Sequence, residues 1–373
     1  MIFEFSDEHE ELRRTLRGFF EREADEAALR EQMASEAGFR PAVWTRMAEE
    51  LGLAGLIVSE ELGGAGFGPV ELAIAMEEMG RALLCAPYLS SAVLATSALE
   101  LAAHERARKE LLPALASGRR RAALAFSERE RPFELEAIAL EAAGSGEACA
   151  LTGEKQYVLD GATADDLLVV ARAGAGLALF HVPGDARGLA REPLPPLDPT
   201  RKLARLRFES TPAMRISEGD AAPGLQRALD RACAALAAEQ VGGAQRCLDM
   251  AVGYAKQRLQ FGRPIGSYQA IKHQCADMLL EVEFARSAAY YAAFAARDAE
   301  PDAAVAASIA KSQCSEAYVA AAKRNLQIHG GMGFTWEHSA HLYLKRATAS
   351  AVLFGTPEEH RRRVAAAVGI AAG

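Results

Sequence analysis

A cation and an amide at a predicted helix end are the first residues whose types and spacing suggest ligand binding. Arg258 and Gln260 follow a run of apolar or small residues with helical spacing, and Gly262 and Pro264 come soon after them. Glycine allows unusual backbone conformations and proline interrupts helical hydrogen bonding, so the helix is expected to end here with both side chains in its last turn. A guanidinium and an amide beside an exposed loop could hold a phosphate-bearing ligand. The alternative is a solvated arginine that complements the helix dipole.

The segment 225–270 contains the longest helical pattern of the chain and the corner that follows it. Its apolar or small side chains recur mostly at intervals of three or four residues, which places them along one stripe of a helix. Other elements are therefore expected to pack along the whole length of this helix. The stripe consists of Leu225, Leu229, Ala232, Leu236, Gly243, Cys247 and Ala251.

Two further patterns lack the spacing that their chemistry would need. The glycines of the loop 62–68 do not follow the GxGxxG pattern, no GK[ST] follows them and no strand clearly precedes them, so the loop is interpreted as a turn between helices. His338 and His341 lie three residues apart, but no third metal ligand has a plausible spacing. They are interpreted as surface or interface histidines.

The predicted elements divide the chain into three segments. Residues 1–120 show helical spacing, with helix starts indicated at Ser6 and Pro41. Residues 121–218 contain short strand-like runs separated by Gly, Pro and Asp, which predicts a small all-β domain. Residues 219–373 are helical again. No strand–helix–strand alternation is present, so the predicted fold class is mainly α with a central β domain rather than a doubly wound nucleotide-binding fold.

Composition narrows the classes of function. The 373 residues carry a formal net charge of -8, which argues against nucleic acid as a partner because its recognition needs a basic face. Six widely spaced cysteines without a CxxC pair indicate a reduced, intracellular protein. The N-terminal residues have no apolar run of signal-peptide length, and no stretch approaches the roughly 20 apolar residues of a membrane span. A cytoplasmic location is therefore predicted.

Two long motifs carry a resemblance to a known family. Residues 254–271 read YAKQRLQFGRPIGSYQAI, and residues 327–337 read QIHGGMGFTWE. Both resemble stretches of the acyl-CoA dehydrogenase family of flavoproteins, and the resemblance covers essentially the whole chain. It implies an N-terminal helical domain, a β-barrel or sandwich, and a C-terminal four-helix bundle that forms a homo- or hetero-oligomer, either a dimer or a tetramer. It also implies FAD as cofactor, an acyl-CoA substrate and electron transfer to an electron-transfer flavoprotein.

The resemblance assigns flavin contacts to two parts of the chain. The family presents a Thr-Glu pair and a Trp-x-Thr motif to the flavin ring from its middle domain. Here Ser127 with Glu128 matches the first, whereas Tyr157 takes the aromatic position of the second and Leu159 replaces its hydroxyl. Without the family, Tyr157 would be interpreted equally well as a core aromatic of a strand. The C-terminal contacts fall on Arg258, Gln260, Phe261, Gln269 and Thr356 and, from a neighbouring chain, on Gln327, Gly330 and Gly331.

The resemblance also reveals a missing group. Removing the α proton of a thioester needs a base, and most family members place a glutamate where this chain has Phe354. Other members carry the glutamate near the start of the long helix, at a position that falls here on Ala232. The backbone N–H of residue 354 can still bind the thioester oxygen. The residues expected to contact substrate are Asp230, Arg231, Phe354 and Gly355.

Glu239 is the nearest carboxylate on the helical face of Ala232, about two turns further along the helix. Burial in an alanine-rich run would raise its pKa toward a useful range, which makes Glu239 a candidate base. The alternative is a structural carboxylate paired across the bundle, and it is given more weight. Glu358 and Glu359 are interpreted mainly as first-turn acids of the last helix.

Three functional hypotheses follow from these residues. The first is an FAD-dependent acyl-CoA dehydrogenase that forms a trans-2-enoyl-CoA, in the β-oxidation of fatty acids or steroid side chains. The second is a subunit without its own base, as in a subgroup of the family in which an unlike homologue brings the base. That subgroup typically acts on bulky or ring-bearing acyl-CoAs. The third is another flavin reaction on the same fold, such as oxygen activation or oxidation of a non-thioester substrate.

Overall fold

The structure is a computed structural model that describes residues 5–129, 133–144 and 146–370. Its internal contacts define two compact units. The helical unit comprises residues 5–30, 69–84 and 233–370, and the sheet unit comprises the described residues of 31–68 and 85–232. These units do not coincide with the three predicted segments, since helices of the first 120 residues contribute to both. The division into 1–120, 121–218 and 219–373 stays a prediction.

The predicted helix starts are confirmed by the structure. The hydroxyl of Ser6 accepts a hydrogen bond from the backbone N–H of His9 at 3.4 Å and caps the first helix, and Pro41 and Pro69 each open a helix. The α-helices are α1 (Asp7–Glu23), α2 (Glu26–Ala34), α3 (Pro41–Glu49), α4 (Pro69–Arg81), α5 (Thr96–Ala102), α6 (Glu105–Ala116), α7 (Ala222–Gln257), α8 (Gln269–Arg297), α9 (Ala303–His329), α10 (Gly331–Phe334), α11 (Ala340–Val352) and α12 (Pro357–Ala367).

Alanine-rich faces of three helices form the core of the helical unit. Ala237 of α7, Ala289 of α8 and Ala310 of α9 are each at most 1% exposed and belong to one apolar cluster. Small side chains let helices approach closely, so this bundle is tight although its core contains few large residues. α11 and α12 pack against α9. These helices form the bundle that was predicted for the C-terminal part of the chain.

Within the helical unit, α4 and α7 cross with their backbones in contact. A Cβ atom on Gly80 would lie 1.9 Å from the carbonyl oxygen of Glu239, and one on Gly242 would lie 1.8 Å from the carbonyl oxygen of Glu77. Both distances are far shorter than a non-bonded contact allows. Only glycine therefore fits at either position.

The sheet unit contains one seven-stranded sheet in the order β1-β4-β5-β7-β3-β2, with β6 paired to β7. β1 and β4 are parallel, and the other pairs are antiparallel. A bridge between Glu141 and Arg172 brings the β2 edge back toward β4, so the sheet curls toward a barrel as predicted. The strands are β1 (Ala122–Ala125), β2 (Ala142–Ala143), β3 (Ala148–Leu159), β4 (Asp166–Ala173), β5 (Gly176–Pro183), β6 (Leu189–Leu194) and β7 (Leu203–Arg215).

The fold class predicted from the sequence is thus confirmed: the chain is mainly helical, and along the sequence the strands β1 to β7 lie between N-terminal and C-terminal helices. The six cysteines form no disulfide in the structure. Among the described residues, no helix is both long and apolar enough to cross a membrane.

Candidate functional site

Ser127 lies directly after β1 in the sheet unit, and its hydroxyl is buried. The side-chain oxygen has no hydrogen-bond partner among the described residues, and the residue is only 2% exposed. A buried hydroxyl without a partner is energetically unfavourable, so an orphaned one marks a place where an absent group could bind. This serine therefore fits the flavin contact that the resemblance assigned to it.

Glu128, by contrast, is fully engaged within the sheet unit. It accepts a hydrogen bond from the Lys155 ammonium at 2.6 Å and two more from the backbone N–H groups of Ala139 and Leu140. Burial raises the pKa of the Glu128 carboxyl, but Lys155 and the two N–H donors outweigh burial and hold the pKa below its usual range. Burial in turn lowers the pKa of Lys155 to about 8. The pair fixes the loop that carries Ser127.

Tyr157 stands beside that loop on an irregular stretch of β3. The backbone N–H of Gln156 donates to the carbonyl of Ser127 at 2.8 Å, which brings the two predicted flavin residues into one neighbourhood. The pairing of β3 with β7 shifts register between Lys155 and Val158, and Tyr157 has a positive φ of 55°. Its ring is consequently 39% exposed and is not a core aromatic, which fits the flavin wall better than the alternative.

The corner after α7 differs from its prediction. The helix ends at Gln257, and residues 259–264 form a hairpin in which Leu259–Gln260 (β8) pairs with Arg263–Pro264 (β9). Phe261 and Gly262 make the turn with φ values of 52° and 79°. The expectation that Arg258 and Gln260 belong to the last helical turn is therefore wrong, because a positive φ at two successive residues allows a strand pair to form instead.

The hairpin presents its side chains to solvent. Arg258 is exposed, and no hydrogen-bond or ion-pair partner for its side chain is found in the described ranges. Phe261 is 92% exposed at the tip, and Gln269 is exposed at the start of α8. The hydroxyl of Tyr268 donates to the backbone carbonyl of Gln260 at 3.1 Å and holds the hairpin against this helix start. A cation, an amide and an aromatic ring are thus displayed together, as a dinucleotide contact requires.

Gln327, Gly330 and Gly331 lie at the junction of α9 and α10. Gly330 closes α9 with φ 59° and ψ -140°, so this turn terminates the helix. A Cβ atom on Gly331 would meet nothing within 4 Å in this chain. Gln327 is exposed. The described chain thus leaves open space at Gly331, which fits a glycine that faces a ligand or another chain.

The turn 353–356 joins α11 to α12 in the helical unit. Phe354 is 7% exposed and has a φ of 60°, and Gly355 has a φ of 109°. The hydroxyl of Thr356 accepts a hydrogen bond from the backbone N–H of Glu359 at 3.3 Å and caps α12. Glu358 and Glu359 lie in the first turn of α12, as predicted.

Two residues that the sequence reasoning missed support this turn. The Lys311 ammonium lies 3.1 Å from the carbonyl oxygens of Ala351 and Gly355, and His360 Nε2 lies 3.1 Å from the carbonyl oxygen of Phe354. Burial lowers the pKa of Lys311 to about 8, and burial together with the nearby Lys311 charge lowers the pKa of His360 to about 4. One signal was available: Lys311 shares a helical face with small residues three and four positions away.

Neither position at which the family places the base, Phe354 or Ala232, carries an acid. Ala232 is fully buried, and Glu239 forms an ion pair with Arg346 at 2.6 Å, with both side chains at most 5% exposed. This pairing supports the structural alternative for Glu239. Arg231, expected to contact substrate, is bonded to Glu100 at 2.5 Å, and Asp230 accepts a hydrogen bond from Gln226 at 3.1 Å.

His338 and His341 lie beside other aromatic rings. No group of three or more potential metal ligands occurs in the part of the chain that the structure describes. The His338 ring is tilted by 41° against the His329 ring, with centroids 4.4 Å apart, and the His341 ring meets the Trp336 ring edge-on at 4.7 Å.

The helical unit brings the hairpin residues onto one exposed corner, and the sheet unit brings Ser127 and Tyr157 together. This combination of fold and residues is that of a flavoprotein oxidoreductase that acts on CH–CH groups. The chain belongs to the acyl-CoA dehydrogenase family. Residues 6–119 match the N-terminal domain of acyl-CoA dehydrogenases, and residues 224–369 match their C-terminal domain. Members of the family are FAD-dependent flavoproteins.

Similar proteins cover almost the whole chain. The acyl-CoA dehydrogenase IpdE2 of Mycobacterium tuberculosis is 37% identical over 358 residues, which span 96% of each chain. A solved variant of the Tcur3481-Tcur3483 steroid ACAD is 31% identical with a TM-score of 0.89, covering 97% of this chain and 98% of the other. The ChsE4-ChsE5 complex of Mycobacterium tuberculosis is 26% identical with a TM-score of 0.90 and full coverage of both chains.

Proposed function

We propose that this chain is one subunit of an acyl-CoA dehydrogenase built from unlike chains. The complex removes hydrogens from the α and β carbons of an acyl-CoA thioester and forms a trans-2-enoyl-CoA. A homologous partner supplies the base, and an electron-transfer flavoprotein accepts the electrons.

One observation carries this proposal: the acid is missing wherever the family places it. Phe354 and Ala232 are apolar and buried, and neither can accept a proton. Glu239 is occupied by Arg346 in a buried ion pair, and a carboxylate held by a buried guanidinium is a poor base because its charged form is stabilised. A chain of this family without an available acid needs one from elsewhere.

The residues of this chain have roles in binding and orientation. Ser127 and Tyr157 would hold the flavin ring, and Arg258 with Gln260 would hold the pyrophosphate, where a guanidinium is well suited to phosphate oxygens. When bound, FAD supplies the acceptor for the β hydride. The backbone N–H of residue 354 would bind the thioester oxygen and so help to acidify the α proton.

Two of the similar proteins support the choice of assembly and of substrate class. One is a complex of ChsE4 with ChsE5, and the other is a steroid ACAD whose name joins Tcur3481 and Tcur3483. By analogy we assign to this chain an unlike partner and a bulky, ring-bearing acyl-CoA.

Production of the chain alone and together with each homologous chain of its source tests the proposal. The number of FAD molecules per chain is measured in each purified oligomer. The rate at which the oxidised flavin band bleaches is then measured without oxygen, with acyl-CoAs that range from short linear to ring-bearing. Bleaching only in a mixed oligomer, with fewer than one FAD per chain, is the expected result. Full activity of the chain alone would refute the need for a partner.

A second candidate is a homo-oligomer in which Glu239 is the base. Its motivation is that Glu239 is a buried carboxylate on the helix that carries the base in some family members. In that case acyl-CoA would bleach the oxidised flavin band of the chain alone, and Glu239→Gln would abolish the bleaching while FAD stays bound.

A further inference from the structure

Two side chains from outside the turn 353–356 bind two successive carbonyls of that turn. Lys311 Nζ lies 3.1 Å from the oxygen of Gly355, and His360 Nε2 lies 3.1 Å from the oxygen of Phe354. Lys311 is fully buried and His360 is 1% exposed. Because Nε2 faces a carbonyl, it must carry the hydrogen and donate. Both contacts are therefore enclosed hydrogen bonds, where loss of a partner is costly.

The Phe354 backbone is strained. A residue other than glycine rarely takes a φ near 60°, because this backbone conformation is energetically unfavourable for it. It persists only when the surroundings fix it. The carbonyls of Phe354 and Gly355 are each tied to a buried donor, so the orientations of the 354–355 and 355–356 peptide groups are determined. The dihedral angles of Gly355, which directly follows the strained Phe354, are thereby fixed.

The chemistry of Lys311 indicates that carbonyl binding is its role. Its remaining contacts are Ser315 Oγ and the carbonyl of Ala351, each at 3.1 Å, so its donors all have acceptors. No carboxylate lies within ion-pair distance of its nitrogen in the described residues. Burying an amine without a counter-charge costs free energy that an apolar residue would not. A chain that keeps this lysine must need the contacts it makes.

We propose that Lys311 and His360 are positioning residues that hold the turn 353–356 against the flavin and the acyl thioester. They fix the backbone path from Phe354 to Thr356, and with it the direction of the Thr356 side chain, without touching either ligand. The inference rests on the proposed function in one respect: it takes FAD and the thioester to lie against this turn.

The experiment uses the active oligomer with its partner and compares paired variants. Lys311→Met removes the amine. His360→Leu removes the ring donor, whereas His360→Gln keeps an amide N–H near the position of Nε2. Ser312→Ala is the matched control, because the Ser312 hydroxyl also joins α9 to the start of α12, through the carbonyl of Pro357 at 3.2 Å, but does not touch the turn carbonyls.

Three quantities are measured: the dissociation constant of FAD by flavin fluorescence, kcat with KM, and the melting temperature. Lys311→Met and His360→Leu are expected to weaken FAD binding about fivefold and to lower kcat about tenfold, the loss of one or two oriented hydrogen bonds. His360→Gln should recover most of both. Ser312→Ala should lower the melting temperature slightly and leave FAD binding and kcat within about twofold.

Unchanged FAD binding and kcat in Lys311→Met and His360→Leu would overturn the inference, as would equal losses in Ser312→Ala. If Lys311→Met does not fold, the His360 pair still decides the question. The FAD measurement also separates this inference from the proposed function. A wild-type complex that binds FAD but oxidises no acyl-CoA refutes the proposed reaction, whereas the comparison of FAD affinities still tests the positioning residues.

Discussion

Arg346 of α11 and Glu239 of α7 form an ion pair at 2.6 Å in the interior of the helical unit, where the guanidinium and the carboxylate are at most 5% exposed. The Arg346 guanidinium also donates to the carbonyl oxygen of Leu84 at 3.4 Å. A buried ion pair of this kind connects α7 to α11 and so has a structural role. This relationship is the main reason to look outside the chain for the catalytic base.

Removing one partner of that pair should destabilise the chain strongly. Arg346→Met removes the guanidinium from this buried ion pair, so the free energy of unfolding should fall by about 3–5 kcal/mol. Urea titration followed by circular dichroism measures the change. Glu281→Gln is the control: its bond to Arg324 has the same 2.6 Å length, but both side chains are at least 30% exposed, and the loss should stay below about 1 kcal/mol.

Glu239→Gln should leave turnover by the mixed oligomer nearly unchanged. The folded fraction is expected to keep kcat within about threefold of wild type, since a structural carboxylate does not exchange a proton with substrate, whereas loss of a general base costs about 100-fold or more. Rates are normalised to bound FAD, so that lost stability does not appear as lost catalysis. A 100-fold loss in fully folded, FAD-loaded protein would identify Glu239 as the base.

Ser127→Ala should weaken FAD binding without weakening the apoprotein. The hydroxyl has no partner in the described chain, so its removal leaves the melting temperature of the apoprotein unchanged or slightly higher. The dissociation constant of FAD should rise about three- to tenfold with the loss of one hydrogen bond. In the control Ser217→Ala, the hydroxyl that accepts from the N–H of Leu179 at 2.9 Å is lost, and the apoprotein itself should melt lower.

Gly331→Ala should affect ligand binding or assembly rather than folding. The added methyl group meets nothing within 4 Å in this chain, so the chain alone should keep its melting temperature. If a ligand or a second chain covers this position, FAD affinity or oligomer mass should fall, as flavin fluorescence and light scattering would show. Wild-type FAD binding and mass in Gly331→Ala would mean that this glycine faces only solvent.

His360 should make stability depend on pH in the acidic range. Burial and the Lys311 charge lower its pKa from 6.5 to about 4, so between these values the unfolded chain binds a proton that the folded chain does not. Unfolding therefore becomes easier as the pH falls through this window, by up to about 1.4 kcal/mol per pH unit. His360→Asn should flatten this part of the profile relative to wild type.

Urea midpoints between pH 4 and pH 7 measure the effect of His360. The control is His273→Asn, which changes an exposed histidine of α8 and should leave the slope of the wild-type profile intact. Equal slopes in wild type and His360→Asn would contradict the assignment of a neutral, buried imidazole to this position.

Local patterns in the sequence predicted most of the fold. The helix starts indicated at Ser6 and Pro41 coincide with the starts of α1 and α3, and the strand-like runs predicted over 121–218 fall where β1 to β7 lie. Such elements can be predicted because the spacing of apolar side chains is visible within each segment by itself. The corner after α7 was mispredicted because its turn uses a positive φ at Phe261, and phenylalanine gives no sign of that conformation.

The contacts around the site were less accessible from the sequence. Glu239 and Arg346 are 107 positions apart, and Lys311 meets Gly355 across 44 positions. Side-chain period indicates which face of a helix is buried but not which distant residue meets it. The candidate flavin residues were named from family motifs, whereas the ion pair and the donors to the turn required the packed bundle.

The crossing of α4 and α7 leaves the chain no freedom at Gly80 and Gly242. A Cβ atom at either position would collide with a backbone carbonyl oxygen. A smaller neighbouring side chain cannot relieve that collision. We therefore expect that a random library selected for function would yield no second-site suppressors for an alanine at either position. Such suppressors should appear readily when a core alanine of α7, α8 or α9 is replaced by a larger residue, because a neighbouring side chain can then become smaller.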